Sequence, residues 1–520
     1  MTPFTFHASQ TDLDDLRLRL QHTRFPEHET VTGWSEGVPL AKLRSLVDYW
    51  RTRYDWRRWE SRLNTFPQYR TIIDGLGIHF LHVRSPHPDA LPLIITHGWP
   101  GSIIEFLGVI GPLTDPTAHG GRAEDAFHVV APSLPGFAFS EKPSQRGWNV
   151  DRIAAAWAKL MPRLGYSHYV AQGGDWGAWV TTRLAQLRAP GLIGIHLNLP
   201  LVIPDPIPTT GLSPDEQRAA DSVRRLREDG FGYFEEQATR PQTIGYSLTD
   251  SPAGLAAWIY EQFYEHTDNK GDPESALSLD MMLDDITLYW LTDSAASSAR
   301  IYFENRNLGP NGGVVELPVG CSIFPREIYQ APRSWAEACY PRLVYWHEVD
   351  RGGHFAAFEQ PAVFTEELSA CFRLLRNGAA LPIVTAATGG KGRSELKKEE
   401  IIRNYYSGWE KKDWGAVDKL LAQGFTFTSP NDDDHIDKRA FKTKCCPQAD
   451  WIDHFDLESV SGRDNEAFVK YLCWTKNSRS FRNIEYFRFV NGKIESIECF
   501  FGGHQGYPSA ASLDHPAGKQ

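Results

Sequence analysis

Cysteine is scarce in this chain: seven in 520 residues and no C-x-x-C pair. The adjacent Cys445 and Cys446 cannot bridge to each other without strain, so a disulfide framework is not expected. No zinc-spaced His/Cys cluster occurs either, and neither a metal nor an organic cofactor is implied. Long apolar runs are missing as well. Nothing approaches about 18 consecutive apolar residues, and the opening MTPFTFHASQTDLDD lacks a basic segment leading into an apolar one. Neither export, a membrane span nor an amino-terminal anchor is expected, and a reducing cytoplasm is. The chain has no Lys/Arg-rich stripe interleaved with aromatics, and its formal charge is −11. Nucleic acid is therefore not an expected partner, and small or neutral ligands are. What the sequence does have is 41% hydrophobic residues, 23% charged residues, 17 Trp, 19 Tyr and 28 Phe. That is a globular composition, and the length calls for more than one packed unit.

The clearest break in composition is NGAALPIVTAATGGKGRS, small and Gly-rich, which reads as a linker over 379–394. Before it, short apolar runs alternate with helical patterns. The runs are Leu91 to Thr96, Ala126 to Ala131, His168 to Gln172, Gly191 to Leu197, Val319 to Phe324 and Arg342 to Glu348. The helical patterns include Val150 to Leu164 and Trp176 to Leu187. Such alternation predicts an α/β fold with a mainly parallel, doubly wound sheet and ligands at the carboxyl ends of its strands. Residues 203–305 interrupt the alternation with aromatic, helical sequence and read as an inserted lid. Residues 1–85 read as an extension that precedes the sheet. The core is then 86–202 with 306–378, and 395–520 is a separate module.

Three motifs carry chemistry. Gly173-Gly174-Asp175-Trp176-Gly177 follows a strand and opens a helix, with small residues two positions either side of Asp175. A turn that sharp strains the central residue and thrusts its side chain outward, and side chains at the flanks would clash. A carboxylate there attacks saturated carbon and forms an ester. A Gly-rich turn with a capping Asp is the plainer reading. His97-Gly98-Trp99-Pro100-Gly101 follows LPLIIT, so the Trp99 and Trp176 amides can pocket an oxyanion; a tight Pro turn is the bland alternative. Gly352-Gly353-His354-Phe355 places a histidine late in the chain, where an ester intermediate needs a base to activate water. Glu327, 27 residues earlier in FPRE, is the chosen acid partner. Asp350 and Glu348 are rivals that spacing does not eliminate.

The blocks FHASQTDLDDLRLRLQHTRFPE, YDWRRWESRLNTFPQYRTIIDGLGIHFLHVRS, THGWPGS, PSLPGFAFS, QGGDWG and GGHFAAFEQP occur in this order. Over about Phe4 to Leu375 the chain resembles the epoxide hydrolases of the microsomal type, in the α/β-hydrolase superfamily. The resemblance implies Asp175 as nucleophile, His354 as base and Glu327 as its orienting acid. It implies two lid tyrosines, Tyr233 in FGYFEEQATRP and Tyr302 in ARIYFENRN, as donors to the epoxide oxygen. An alkoxide is a far poorer leaving group than a halide and needs such donors. Tyr246, Tyr260 and Tyr264 lie nearby, and aromatics at helical spacing more often pack. The expected activity is conversion of a small, apolar epoxide to a vicinal diol. A dehalogenase would share Asp and His but place N–H donors in the lid. A non-catalytic ligand-binding or scaffold protein would leave the elbow unused.

From Glu395 onward, helices precede strands, and Asn491-Gly492 is a hairpin signal. YYSGWEKKDWGAVDKLLAQGFTFTSP resembles the polyketide-cyclase-like branch of the nuclear transport factor 2 fold, an α+β cone. Asp453, His454 and Asp456 (DHFD) are read as a charged, solvated loop. A homodimer through this sheet, or cover for the lid, is expected ahead of catalysis.

Overall fold

The computed structural model describes residues 1–376, 393–429, 432–444, 450, 452–461, 465–476 and 480–501. The chain divides into two compact units, Met1–Ala379 and Ala380–Gln520. Most of the linker expectation, and Cys445 with Cys446, lie outside the described residues. Arg393 and Ser394, assigned to that linker, already belong to the helix Arg393–Lys411.

In the first unit nine strands form one sheet: β1 (Thr2–Phe4), β2 (Gln68–Ile73), β3 (Leu76–Val83), β4 (Leu91–Thr96), β5 (Phe127–Pro132), β6 (Tyr169–Gly173), β7 (Leu192–Leu197), β8 (Val319–Ile323) and β9 (Leu343–Glu348). Their spatial order is β1-β2-β3-β5-β4-β6-β7-β8-β9. The six strands from β5 across to β9 are parallel to their neighbours. Every residue of β4 and β6 is buried, which is why these strands read as unbroken apolar runs rather than alternating ones. The helices Val150–Arg163 and Asp175–Gln186 turn apolar faces toward the core.

One expectation needs correcting. Residues 1–85 do not simply precede the sheet, because they supply β1, β2 and β3, all antiparallel, with β3 docked on β5. Asp74 and Gly75 join β2 to β3 in a two-residue turn with φ of 52° and 82°, and Ile73 pairs with Leu76. Asp-Gly adopts that left-handed pair readily, so the hairpin had a signal in the sequence.

Between β7 and β8 lie six α-helices, among them Gly232–Thr239, Pro252–His266, Leu279–Leu291 and Ser294–Asn305. They form the lid. The amino-terminal helices grip it: the Tyr54 hydroxyl and Arg58 both donate to Asp284, each at 2.8 Å. Five cysteines are described, and all are free thiols. No described helix is long and apolar enough to cross a membrane.

The second unit has helices first and then a six-stranded sheet: β10 (Leu421–Ser429), β11 (Asp432–Asp437), β12 (Ile452–Ser461), β13 (Glu466–Thr475), β14 (Ser480–Val490) and β15 (Lys493–Phe501). Their order is β11-β10-β15-β14-β13-β12. Asn491 and Gly492 form the β14–β15 turn with φ of 49° and 73°. DHFD is not a loop but part of β12, with Asp453, His454 and Asp456 on exposed positions. Pairing with β13 supplies the backbone order that a charged tetrapeptide does not announce.

Candidate active site

Asp175 stands where β6 hands over to the helix Asp175–Gln186, with φ of 49°. Left-handed backbone is costly for most residues and tolerable for Asp. The glycines around it are there for clearance. A Cβ on Gly177 would lie 1.9 Å from the Thr96 carbonyl oxygen, and one on Gly98 would lie 2.0 Å from Asp175 Oδ1. The loop after β4 can therefore press onto the carboxyl. The Trp99 backbone N–H donates to Asp175 Oδ1 at 2.7 Å. The Trp176 N–H belongs to the first turn of its helix, where four amides lack internal partners.

The other oxygen faces the histidine. His354 Nε2 is 3.5 Å from Asp175 Oδ2, and His354 Nδ1 is 2.5 Å from Glu327 Oε1. Glu327 is also held by the Ile328 N–H at 2.9 Å and by Asn198 Nδ2 at 3.4 Å. Glu348 and Asp350 are exposed, so neither rival shares this buried contact. Burial opposes a charge on His354, but Glu327 and then Asp175 outweigh it and hold the imidazole pKa well above its ordinary value.

Both lid tyrosines pack on the same indole. Tyr233 stacks on Trp99 at 5.3 Å, and Tyr302 meets Trp99 edge-on at 5.6 Å and Trp176 at 4.9 Å. Their rings are 6.0 Å apart. Burial, followed for Tyr233 by Asp175 and for Tyr302 by Tyr233, pushes both phenols upward, so they remain protonated donors. The other candidates sit elsewhere: Tyr246 is 69% exposed, Tyr264 stacks on Trp34, and Tyr260 is a core residue. A cavity of about 810 Å³ reaches Tyr233, His266 and Glu327 from the side of Trp34 and Arg326.

Several supports were not legible in the sequence. His97 takes no place beside Asp175 as a base. Its Nε2 accepts the Leu134 N–H at 3.1 Å, which leaves Nδ1–H to donate to the Gly98 carbonyl at 2.9 Å. Burial lowers its pKa to about 4, so it braces the loop as a neutral ring. From the lid, the Tyr289 hydroxyl donates to the Gly101 carbonyl at 2.9 Å and the Ser102 hydroxyl donates to Asp285 at 2.6 Å. Glu359 ties the histidine loop to the lid by accepting the Phe355 and Asp268 N–H groups. The bonds to Leu134, Gly101, Asp285 and Asp268 join segments remote in sequence, so no spacing could reveal them. Among the described residues no cluster of His, Cys, Asp and Glu has the grouping of a metal site.

Known proteins resemble this chain in both of its units. Residues 1–106 match the family described as "Epoxide hydrolase N terminus", 92–206 match "alpha/beta hydrolase fold", and 402–497 match "SnoaL-like domain". A Stigmatella aurantiaca (strain DW4/3-1) protein whose name places it among epoxide hydrolases is 66% identical over 376 residues, covering 72% of this chain and 86% of that one. Epoxide hydrolase 1 of Oryctolagus cuniculus is 36% identical over 396 residues, covering 70% and 87%. The solved Aspergillus niger epoxide hydrolase superposes with a TM-score of 0.65 at 32% identity, covering 72% of this chain and 96% of that one. The acid–histidine–acid array, the paired phenols and these likenesses lead to one conclusion: the chain belongs to the epoxide hydrolases, and it carries a SnoaL-like domain after the hydrolase unit.

Proposed function

We propose that this epoxide hydrolase works through an ester on Asp175. In the resting site the His354 imidazolium lies between two carboxylates. Oδ2 of Asp175, which does not accept the Trp99 N–H, attacks a ring carbon while Tyr233 and Tyr302 hydrogen-bond the ring oxygen. The carbon–oxygen bond breaks and that oxygen takes up a proton from one of the two phenols, which the proton released by His354 then replaces. Esterification removes one of the two anions that hold the proton on His354, so the imidazolium releases it and becomes the base for the second step. Water then attacks the Asp175 carboxyl carbon. Its proton passes to His354, and the oxyanion forms on Oδ1, already facing the Trp99 amide and next to that of Trp176. The diol leaves and the ion pair is restored.

The observation that carries this reading is the division of labour between the Asp175 oxygens, one on an amide donor and one toward the histidine. Phenols in the lid, where a halide would call for N–H donors, favour an epoxide over a haloalkane. The aromatic wall of Trp99, Tyr233, Phe234 and Tyr302 suits an apolar substrate. The free thiols support a cytoplasmic location. A homodimer through the second unit is supported by Phe468 and Ile484, 49% and 42% exposed on its sheet. Sedimentation of Phe468→Glu would then show a monomer.

Two measurements test the mechanism. With styrene oxide, His354→Gln should accumulate a covalent adduct whose mass gain equals the substrate. A single turnover in ¹⁸O-water should put label into Asp175 and none into the first diol. Label in that diol, with Asp175 unmarked, refutes the ester.

A further inference from the structure

A second cavity, of about 20 Å³, borders Asp175, His354, Gln172, Asn198, Glu105 and Trp99. That is room for a single water and for nothing larger. Neither Tyr233 nor Tyr302 lines it, and the larger cavity that reaches Tyr233 does not border Asp175. The two spaces therefore meet the site at different residues, one at Tyr233 and one at Asp175.

A chain of amides decides what this small space presents. Glu327 can only accept, so Asn198 turns Nδ2 toward it, at 3.4 Å. Asn198 Oδ1 is then left to accept from Gln172 Nε2, at 2.9 Å. That in turn fixes the Gln172 amide with Oε1 on the far side. Gln172 is 1% exposed, and its Oε1 has no hydrogen-bond partner among the described residues. A buried acceptor left unpaired is disfavoured, and the residue that carries it lines a space of one water's size.

We propose that Gln172 Oε1 and His354 Nε2 together hold the water that hydrolyses the Asp175 ester. The inference rests on the ester mechanism proposed above. A water attacking the ester carbon has two protons to place. One goes to His354 Nε2 as the new carbon–oxygen bond forms. The other stays on the water oxygen, hydrogen-bonded to Gln172 Oε1, which aims a lone pair at the carboxyl carbon. When the bond from the carboxyl carbon to Oδ2 breaks, the diol leaves with that oxygen and the proton from His354. The proton retained on the Asp175 carboxyl then returns to His354, restoring the ion pair. Glu105 closes the cavity, and a Cβ on Gly101 would lie 1.5 Å from Glu105 Oε1. Burial, and after it Asp285, pushes the Glu105 pKa well up. A neutral carboxyl there adds no second negative charge to oppose the oxyanion.

The test separates the two half-reactions in rapid-quench experiments with styrene oxide, following ester by intact mass. Gln172→Met keeps the volume and loses the amide oxygen. Ester formation should stay within about twofold while ester decay slows by about 10- to 100-fold, so that kcat and KM fall together and kcat/KM holds. Gln172→Glu should restore much of the decay rate, since a protonated carboxyl keeps both the bond to Asn198 and an acceptor toward the cavity. Unchanged decay in Gln172→Met, or equal slowing of both steps, overturns the inference. If neither variant folds, a crystal structure of the unaltered enzyme decides: a water bonded to Gln172 Oε1 and His354 Nε2 supports it, and a dry cavity overturns it. His354→Gln is the control. Ester in that variant with normal decay in Gln172→Met rejects Gln172 alone, whereas no ester in His354→Gln rejects the underlying mechanism.

Discussion

Each unit of this chain sets a carboxyl among aromatic residues, Glu485 buried and Asp175 half-buried, and the two are built for different ends. In the second unit Glu485 accepts the Tyr406 hydroxyl on Oε2 at 2.7 Å and the Tyr471 hydroxyl on Oε1 at 3.0 Å. Both oxygens are engaged, and among the described residues no cation stands beside them. Burial raises its pKa, the phenols pulling the other way. In the first unit Asp175 has one oxygen on an amide and the other turned toward an imidazolium and a cavity. Burial alone does not make a nucleophile. In the proposed mechanism it is the oxygen left uncommitted, with a cation close by, that makes Asp175 the nucleophile.

Opposed substitutions put that comparison at risk most directly. Asp175→Asn should lower turnover by about 10⁴-fold or more with little change in unfolding temperature. Glu485→Leu should do the reverse. Two buried phenols lose their acceptor, so the second unit should lose about 2–5 kcal/mol by calorimetry, while epoxide turnover stays within twofold. Loss of turnover in Glu485→Leu would erase the distinction.

A pH profile sharpens the role of the flanking cation. His354 has a raised pKa in the folded state, so its ion pair stabilises the fold below the ordinary histidine range and fades as pH climbs through the raised value. Burial opposes that charge, and Glu327 is the largest contribution in its favour. Glu327→Gln should therefore move the alkaline limb of kcat/KM to lower pH. A limb that stays in place would mean that a group other than His354 sets it.

The smallest effect concerns the hairpins at which the two units resemble each other. Gly75 has φ of 82° and open space where a Cβ would go, so Gly75→Ala meets only a conformational cost. A loss of about 1 kcal/mol is expected, read from the urea midpoint of the first unit. A much larger loss would point to a contact that the turn does not show.

Those hairpins also mark the limits of reading by pattern. Asn491-Gly492 sits between strands of clear alternation, and its turn is legible. Asp74-Gly75 carries the same chemistry, but β2 and β3 follow a Trp-rich helical stretch and their alternation is broken, since β3 is buried at nearly every position. A strand covered on both faces loses the period that identifies it. DHFD went the other way, its charges suggesting a loop while pairing with β13 made it strand.

From the sequence alone came the elbow and the late histidine, because local backbone demands leave local traces: small residues at fixed offsets around Asp175, and Gly-Gly before His354. The division into two units followed from composition and length for the same reason. Only the tertiary structure decided that Glu327 and not Glu348 or Asp350 meets His354, that Tyr233 and Tyr302 share the Trp99 indole, and that Gln172 lines a space for one water. Those outcomes depend on distances between segments tens to hundreds of residues apart, which burial of the lid against the sheet sets and no periodicity in the chain encodes.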